Sequence, residues 1–334
     1  MKHDEAFNLG SNYNVRRSTM NRRRKILGMA IGLGVGFSLA AAHVAAQETY
    51  IPLISKGFQH QFWQAVKAGS EQAAKDYKVK VSFEGPESES MVDKQIDMLS
   101  AALAKNPKAI GFAALDSKAA IPLLKKAQAA KIPVIAFDSG VDSDIPVTTA
   151  TTNNLAAAGL AADKMAELIG KSGEVALVVH DQTSRTGIDR RDGFLNRMKS
   201  TYPNINIVSV QYGGGDQLKS TEITKSILQA HPNIKGIFGA NEGSAIGVLN
   251  GAKEMKRKIV IIGYDSGKQQ KAAIRDGSMA GAITQNPVGI GYKTVEAAVK
   301  ALKGEKLPKV IDTGFYWYDK TNIDDPKIAA VLYD

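Results

Sequence analysis

The stretch "NIKGIFGANEGSAIGVLNGAKEMKRKIVIIGYDSG", residues 233–267, carries a complete structural unit. Its short apolar run "GIFGA" ends in the polar turn "NEGS". A helical pattern near 244–255 follows, and then a second apolar run, "KIVIIGYD", which also ends in a polar turn. Short runs with few polar residues, alternating with amphipathic segments, predict parallel strands buried on both faces by helices. The same alternation extends in both directions. Toward the N-terminus, "TYIPLIS" precedes a helix from Gln61, "VKVSF" one near 91–104, and "AIGFAA" one near 118–130, with "PVIAF" after it. From Thr152 it resumes with a helix over 155–169, "EVALVV", a helix near 189–200, "INIVSV" and a helix near 217–230. A helix near 268–275, "AGAITQ" and a helix near 291–302 complete it. These are too many strands for one sheet of ordinary width, so two α/β lobes are expected.

Composition narrows the chemistry. The 334 residues include no Cys, which excludes disulfides, thiolate metal sites and Cys nucleophiles. The five His, at 3, 43, 60, 180 and 231, are scattered without the spacing of a zinc motif. Residues 1–46 read as an address, with Met20 as a second possible start. Arg22, Arg23, Arg24 and Lys25 form a basic segment, 26–42 an apolar one, and Val44, Ala45 and Ala46 offer small residues for cleavage. Secretion is expected, with cleavage near Ala46. The formal charge of +10 includes seven basic and two acidic residues before Gln47, leaving about +5 beyond it. The remaining Lys residues lie in mixed helical patterns that suit a solvated face, so nucleic acid is not an expected partner.

Polar clusters recur after the strands: "GPES", "LDSK", "FDSG", "HDQTSR", "GANEGS", "GYDSGK" and "TQNP". In open parallel sheets, ligands bind beyond the carboxyl ends of the strands. These clusters lack enzymatic signatures. No GxSxG elbow occurs, "GYDSGK" lacks phosphate-loop spacing, and His180 beside Asp181 is not a triad. They do supply what a polyol needs: carboxylates and amides for hydroxyls, an Arg to donate, and aromatic faces for C–H surfaces. Candidates are Asp138, Asn241, Asp265 and Gln285, the pair Arg185 and Arg190, and aromatic walls from Phe62, Trp63 and Tyr264. Along the first helix, Phe62, Val66, Gly69 and Ala73 form a core stripe. Trp63 falls on a polar row with Lys67 and Ser70, which suggests that it faces a cleft.

With these motifs in view, the chain resembles the periplasmic sugar-binding proteins of ABC importers, in the ribose/galactose-binding group of type I periplasmic binding proteins. The resemblance runs from about Gln47 to the C-terminus. It is carried by "QHQFWQAVKAGSEQAA", "AKIPVIAFDS", "AHPNIKGIFGANEGSAIGVLNGAKE", "IVIIGYDS" and "AGAITQNPVGIGYKTVEAAVKALKGE". It implies two Rossmann-like lobes with parallel sheets, joined by a three-strand hinge. The implied lobes are 48–151 with 286–313, and 152–285 with 314–334. It also implies that Phe62 and Trp63 stack on the sugar and that Asp138 binds hydroxyls. Asn241, Asp265 and Gln285 would be the distal polar ligands and Tyr264 an aromatic contact. His60 stands where ribose binders often carry Asn, and Arg190 matches the family Arg better than Arg185. The segment "FYWY" at 315–318 is expected to pack a crossover strand.

Three departures bear on the ligand. Ser139 follows Asp138 where ribose binders carry Arg, Ala113 replaces an Asn, and Gly215 replaces an aromatic before Asp216. Ribose is therefore not the expected sugar. The implied function is solute binding in the interlobe cleft by hinge closure, without cofactor or bond chemistry. Delivery would be to an ABC permease with its ATPase, by a periplasmic monomer. The alternative is a periplasmic sugar or autoinducer receptor feeding a chemoreceptor or sensor kinase. A lac-repressor-type regulator would need a helix-turn-helix head where the signal segment stands.

Overall fold

The computed structural model describes residues 48–334, so the expected signal segment and the expected cleavage near Ala46 lie outside the described residues. Within them the strands form two six-stranded sheets. The first has the order β11-β5-β4-β3-β1-β2. It is built from β1 (Tyr50–Ile54), β2 (Lys80–Glu84), β3 (Ile110–Phe112), β4 (Val134–Phe137), β5 (Thr148–Thr151) and β11 (Val310–Asp312). The second has the order β12-β10-β9-β8-β6-β7. Its strands are β6 (Gly173–Val179), β7 (Ile205–Tyr212), β8 (Ile234–Gly239), β9 (Val260–Tyr264), β10 (Gly281–Gln285) and β12 (Phe315–Tyr318). All pairings are parallel except β10 with β12. That exception has a simple cause. Only Thr313 and Gly314 separate β11 from β12, so the chain runs straight from one sheet into the other and meets β10 head to tail.

The central strands are fully buried, as their apolar runs require; Ile51, Leu53, Val175, Leu177, Ile237 and Ile262 are all inaccessible. Helix α1 (Gln61–Tyr77) lies against α9 (Pro287–Leu302) at unusually short range. A Cβ at Gly69 would stand 2.0 Å from the Val288 carbonyl oxygen, and one at Gly291 1.9 Å from that of Val66. Two glycines thus face two backbones. Helix α1 also buries a wider face than one stripe: Trp63, Ser70 and Ala74 are covered along with Phe62, Val66, Gly69 and Ala73.

Two helices start earlier than the hydrophobic pattern implied. Helix α5 (Arg185–Thr201) begins at Arg185 because the Ser184 hydroxyl caps it, accepting from the Gly187 N–H at 3.1 Å. Helix α9 begins at Pro287, with Asn286 as its cap. The remaining elements that position the site are α4 (Asn154–Leu168), α7 (Glu242–Glu254) and a short final helix, α10 (Pro326–Ala329). Beyond α10, Tyr333 leaves the second sheet's core. It packs on Phe62, ring centroids 6.1 Å apart, within the first sheet's cluster of Ile51, Leu53 and Phe137. Tyr333 is also tied to the turn after β9, its hydroxyl accepting from Ser266 N–H at 3.2 Å and its own N–H donating to Ser266 Oγ at 3.3 Å.

Candidate ligand-binding site

A small cavity lies where the carboxyl ends of the two sets of strands meet. One wall begins in the turn between β1 and α1. Gln95 fixes that turn: its side-chain amide donates to the carbonyls of Ser55 and Ala113, both at 2.8 Å, and accepts from Leu115 N–H at 3.0 Å. Phe62 and Trp63 then project from the first turn of α1, their rings edge to face at 5.0 Å. Trp63 also meets Phe137 edge-on at 6.4 Å and is 1% exposed. It lines the cavity and the core at once, which corrects the reading that placed it off the core. Its indole N–H donates to Glu89 Oε1 at 2.8 Å.

Asp138 and Asp265 occupy equivalent places, each the first residue after a strand (β4 and β9) and each followed by Ser-Gly. Both adopt positive φ, 55° and 79°, in the left-handed region that non-glycine residues occupy at a cost of order 1–3 kcal/mol. Each backbone N–H donates to the neighbouring strand: Asp138 to Ala150 O at 2.9 Å, and Asp265 to Ile283 O at 2.6 Å. Their carboxylates differ. Both Asp265 oxygens are held, by Gln285 Nε2 at 2.7 Å and Glu242 N–H at 3.0 Å. No protein group donates to the Asp138 carboxylate among the described residues.

Arg190 is fixed from three sides. Its Nε donates to Asn154 Oδ1 at 2.8 Å, its Nη1 to Ala240 O at 3.0 Å, and its guanidinium lies 3.8 Å from the centre of the Tyr264 ring. Tyr264 donates its hydroxyl to the same Asn154 oxygen and does not line the cavity, so it supports Arg190 from behind. Arg185 is 38% exposed and pairs with Asp142 and Asp189; it too lies outside the cavity. Of the three expected ligand contacts Tyr264, Arg185 and Arg190, only Arg190 lines the cavity. Asn241 caps α7 through Oδ1, and its Nδ2 lies 3.5 Å from His60 Nε2. His60 itself lines the cavity.

The pattern described as a periplasmic binding protein domain matches residues 51–306. The chain belongs to the type I periplasmic sugar-binding proteins. It is 28% identical over 286 residues to the D-allose-binding periplasmic protein of Escherichia coli (strain K12), covering 83% of this chain and 91% of that one. Among solved structures, it is similar to a carbohydrate transporter solute-binding protein from Agrobacterium radiobacter in complex with D-arabinose. That match has a TM-score of 0.82 at 33% identity and covers 86% of this chain and 99% of the other. An ABC transporter solute-binding protein from Agrobacterium vitis with bound D-fucose matches with a TM-score of 0.82 at 33% identity, covering 85% and 100%.

Compared with the expectations for this family of sugar binders, three lining residues went unread in the sequence: Lys56, Glu89 and His180. The signal was present, since each lies in or beside a polar turn after a strand. Glu89 lies beside Gly215. A Cβ at Gly215 would come within 3.2 Å of Glu89 Oε2 and 3.3 Å of His60 Nε2. Burial would raise the Glu89 pKa, but Lys56, His60 and His180, with the Trp63 N–H, together pull it down to about 2. Burial, joined by Glu89 and Asp265, pushes Asp138 up to about 6 against the pull of Lys56 and Arg190. Burial and the positive charge of Lys56 and Arg190 hold His180 well below the ordinary histidine range. Three lining residues keep a buried polar atom without a protein partner: His60 Nδ1, His180 Nδ1 and Gln285 Oε1. Among the described residues no group of His, Asp or Glu side chains is arranged to hold a metal ion.

Proposed function

We propose that this protein is the solute-binding component of an ABC importer. It would take one monosaccharide or small polyol into the cavity by hinge closure and present it to a membrane permease with its ATPase, as a periplasmic monomer. The observation that carries the reading is the composition of the cavity wall. Asp138, Asp265, Asn241, Arg190 and Gln285, drawn from both sheets, surround a space with Phe62 and Trp63 on one side. Carboxylates and amides accept hydroxyl protons, the guanidinium donates, and the aromatic rings cover a C–H face. No nucleophile–base pair lines the cavity, so binding without reaction is the role proposed. The lobes proposed to move are 48–151 with 286–313 and 152–285 with 314–334, the crossings falling after β5, after β10 and between β11 and β12. The ligands of the relatives, D-allose, D-arabinose and D-fucose, set the first compounds to try.

Thermal unfolding of residues 47–334 against pentoses, hexoses, polyols and inositols tests the reading. A ligand at a hundredfold excess over Kd adds about 2.7 kcal/mol of stability, so one sugar class is expected to raise the midpoint by several degrees. A flat response across the panel, from protein freed of ligand by unfolding and refolding, would refute monosaccharide binding.

The buried Asp138 adds a dependence on pH. An exposed carboxyl titrates near 3.9, whereas in the closed cavity Asp138 titrates at about 6. Asp138 therefore takes up a proton on closing between those values, and by itself would raise the closed-to-open ratio by up to about tenfold per unit as pH falls from 6 toward 4. His180, held well below the ordinary histidine range in the closed form, pulls the other way in acid. The two contributions separate by substitution: small-angle scattering of the unliganded protein at pH 5 should give a smaller radius of gyration for His180→Asn than for Asp138→Asn, and the gap should narrow at pH 7.5.

A further inference from the structure

We propose that Glu242 is a closure latch: a carboxylate carried on α7 that caps the start of α1 only while the two halves of the protein are together. Helix α1 lacks a cap of its own. His60 at the N-cap position makes no side-chain capping bond, and the first turn contains no acidic residue. Its first N–H groups turn instead to the other half of the molecule. Gln61 N–H donates to Glu242 Oε1 at 3.2 Å and Phe62 N–H to Glu242 Oε2 at 3.3 Å. A carboxylate at this position satisfies two orphan donors and sits at the positive end of the helix dipole.

The surroundings fit a contact that has to close tightly. Glu242 is 4% exposed, and the residues beside it leave no room for side chains. A Cβ at Gly243 would stand 2.8 Å from His60 Cε1, and one at Gly267 2.9 Å from Glu242 Oε1. Gln61 strengthens the junction by accepting from Lys268 N–H at 2.7 Å. Glu242 does not line the cavity, so it acts on the ligand only through others. Its carboxylate fixes the helix that carries Phe62 and Trp63, and its own N–H holds Asp265 Oδ2 at 3.0 Å. One residue thereby registers the aromatic wall of one half against the acidic ligand of the other. It is a positioning residue, and the inference rests on the hinge-closure reading given above.

The test uses closure itself and needs no sugar. Ser117 N–H donates to Thr183 O at 3.0 Å across the two halves, and the natural chain has no Cys. A protein with Ser117→Cys and Thr183→Cys should therefore cross-link under a fixed oxidant at a rate proportional to its closed fraction. Adding Glu242→Ala is expected to slow that rate about tenfold in the unliganded protein. Glu242→Gln, which keeps one acceptor oxygen, should fall between. The unliganded melting midpoint should move by no more than about 2 °C, which separates a latch from a general loss of structure. Hydrogen exchange gives a second reading without the cross-link. The Gln61 and Phe62 amides should exchange at least about fivefold faster in Glu242→Ala of the natural chain. A parental cross-linking rate, or parental exchange at those two amides, overturns the proposal. If D-allose, D-arabinose and D-fucose all fail to quicken cross-linking in the parent, the choice of ligand class fails, while slowing by Glu242→Ala still stands for the latch.

Discussion

Asp138→Ala is expected to weaken binding of the preferred sugar by a hundredfold or more. Asp265 has both carboxylate oxygens occupied by protein donors, so it presents a fixed, already satisfied group. Asp138 is buried to 4% exposure with a carboxylate that no protein group serves. The hydroxyls of a ligand are the donors that would complete it. Hydrogen bonds to a charged group contribute about 1.5–3 kcal/mol each, and two of them account for at least about a hundredfold in Kd. Titration calorimetry with the sugar that gives the largest thermal shift makes the measurement. Asp138→Asn keeps the shape and one acceptor, and should lose less. An affinity for Asp138→Ala within threefold of the parent would move recognition to the Asp265 side of the cavity.

The largest effect on stability is expected at Gly291. Its missing Cβ would stand 1.9 Å from the Val66 carbonyl oxygen, and a backbone group in the middle of a helix cannot rotate aside. Gly291→Ala must push α1 away from α9. Overpacking of this kind costs typically 1–3 kcal/mol and occasionally more; about 3 kcal/mol is expected here. For a chain of this size that lowers the melting midpoint by roughly 6–12 °C. Gly304→Ala is the control. It has positive φ, 76°, but nothing within 4 Å of an added Cβ, so it should show only backbone strain, about 1 kcal/mol. Equal losses in the two variants would mean that the α1–α9 approach can relax.

How much of this was legible in the sequence varies from element to element. The α/β alternation was readable because each central strand is an unbroken apolar run flanked by turn residues. Strands β5 and β11 went unread, although each lies just before an expected lobe boundary, at 151 and at 313. "TTAT" and the edge strand "VID" are short and partly exposed, and they lack the apolar character on which a strand reading depends. The choice between Arg185 and Arg190 turned on a helix start. With α5 beginning at 185, the two residues are five apart, about 140° around the axis. Only one of them can face inward. Ser184 as a cap was the missing signal.

The residues of the cavity divide in the same way. Asp138, Asn241, Asp265 and Gln285 were found because strand ends announce them. Glu89, Lys56 and His180 obey the same rule but were hidden by their chemistry, since an isolated charge in a turn usually faces solvent. Nothing local says that Lys56 will be buried against Thr186, a residue 130 positions away. The role of Glu242 was equally out of reach, because α1's missing cap and its replacement lie 181 positions apart.

The sheet order carries a consequence for how the chain comes to be folded. Strand β11 pairs in register with β5, Val310 opposite Thr149, and β12 with β10, Phe315 opposite Gln285. Neither sheet is complete until residues near the end of the chain have been made. Contacts between residues so far apart in sequence form slowly, because a long loop must close before any bond rewards it. A growing or partly threaded chain thus has no finished half to collapse into. The two halves also share their last strands through a two-residue link, so unzipping one tugs on the other. Late assembly and a single cooperative unfolding transition are the expected consequences.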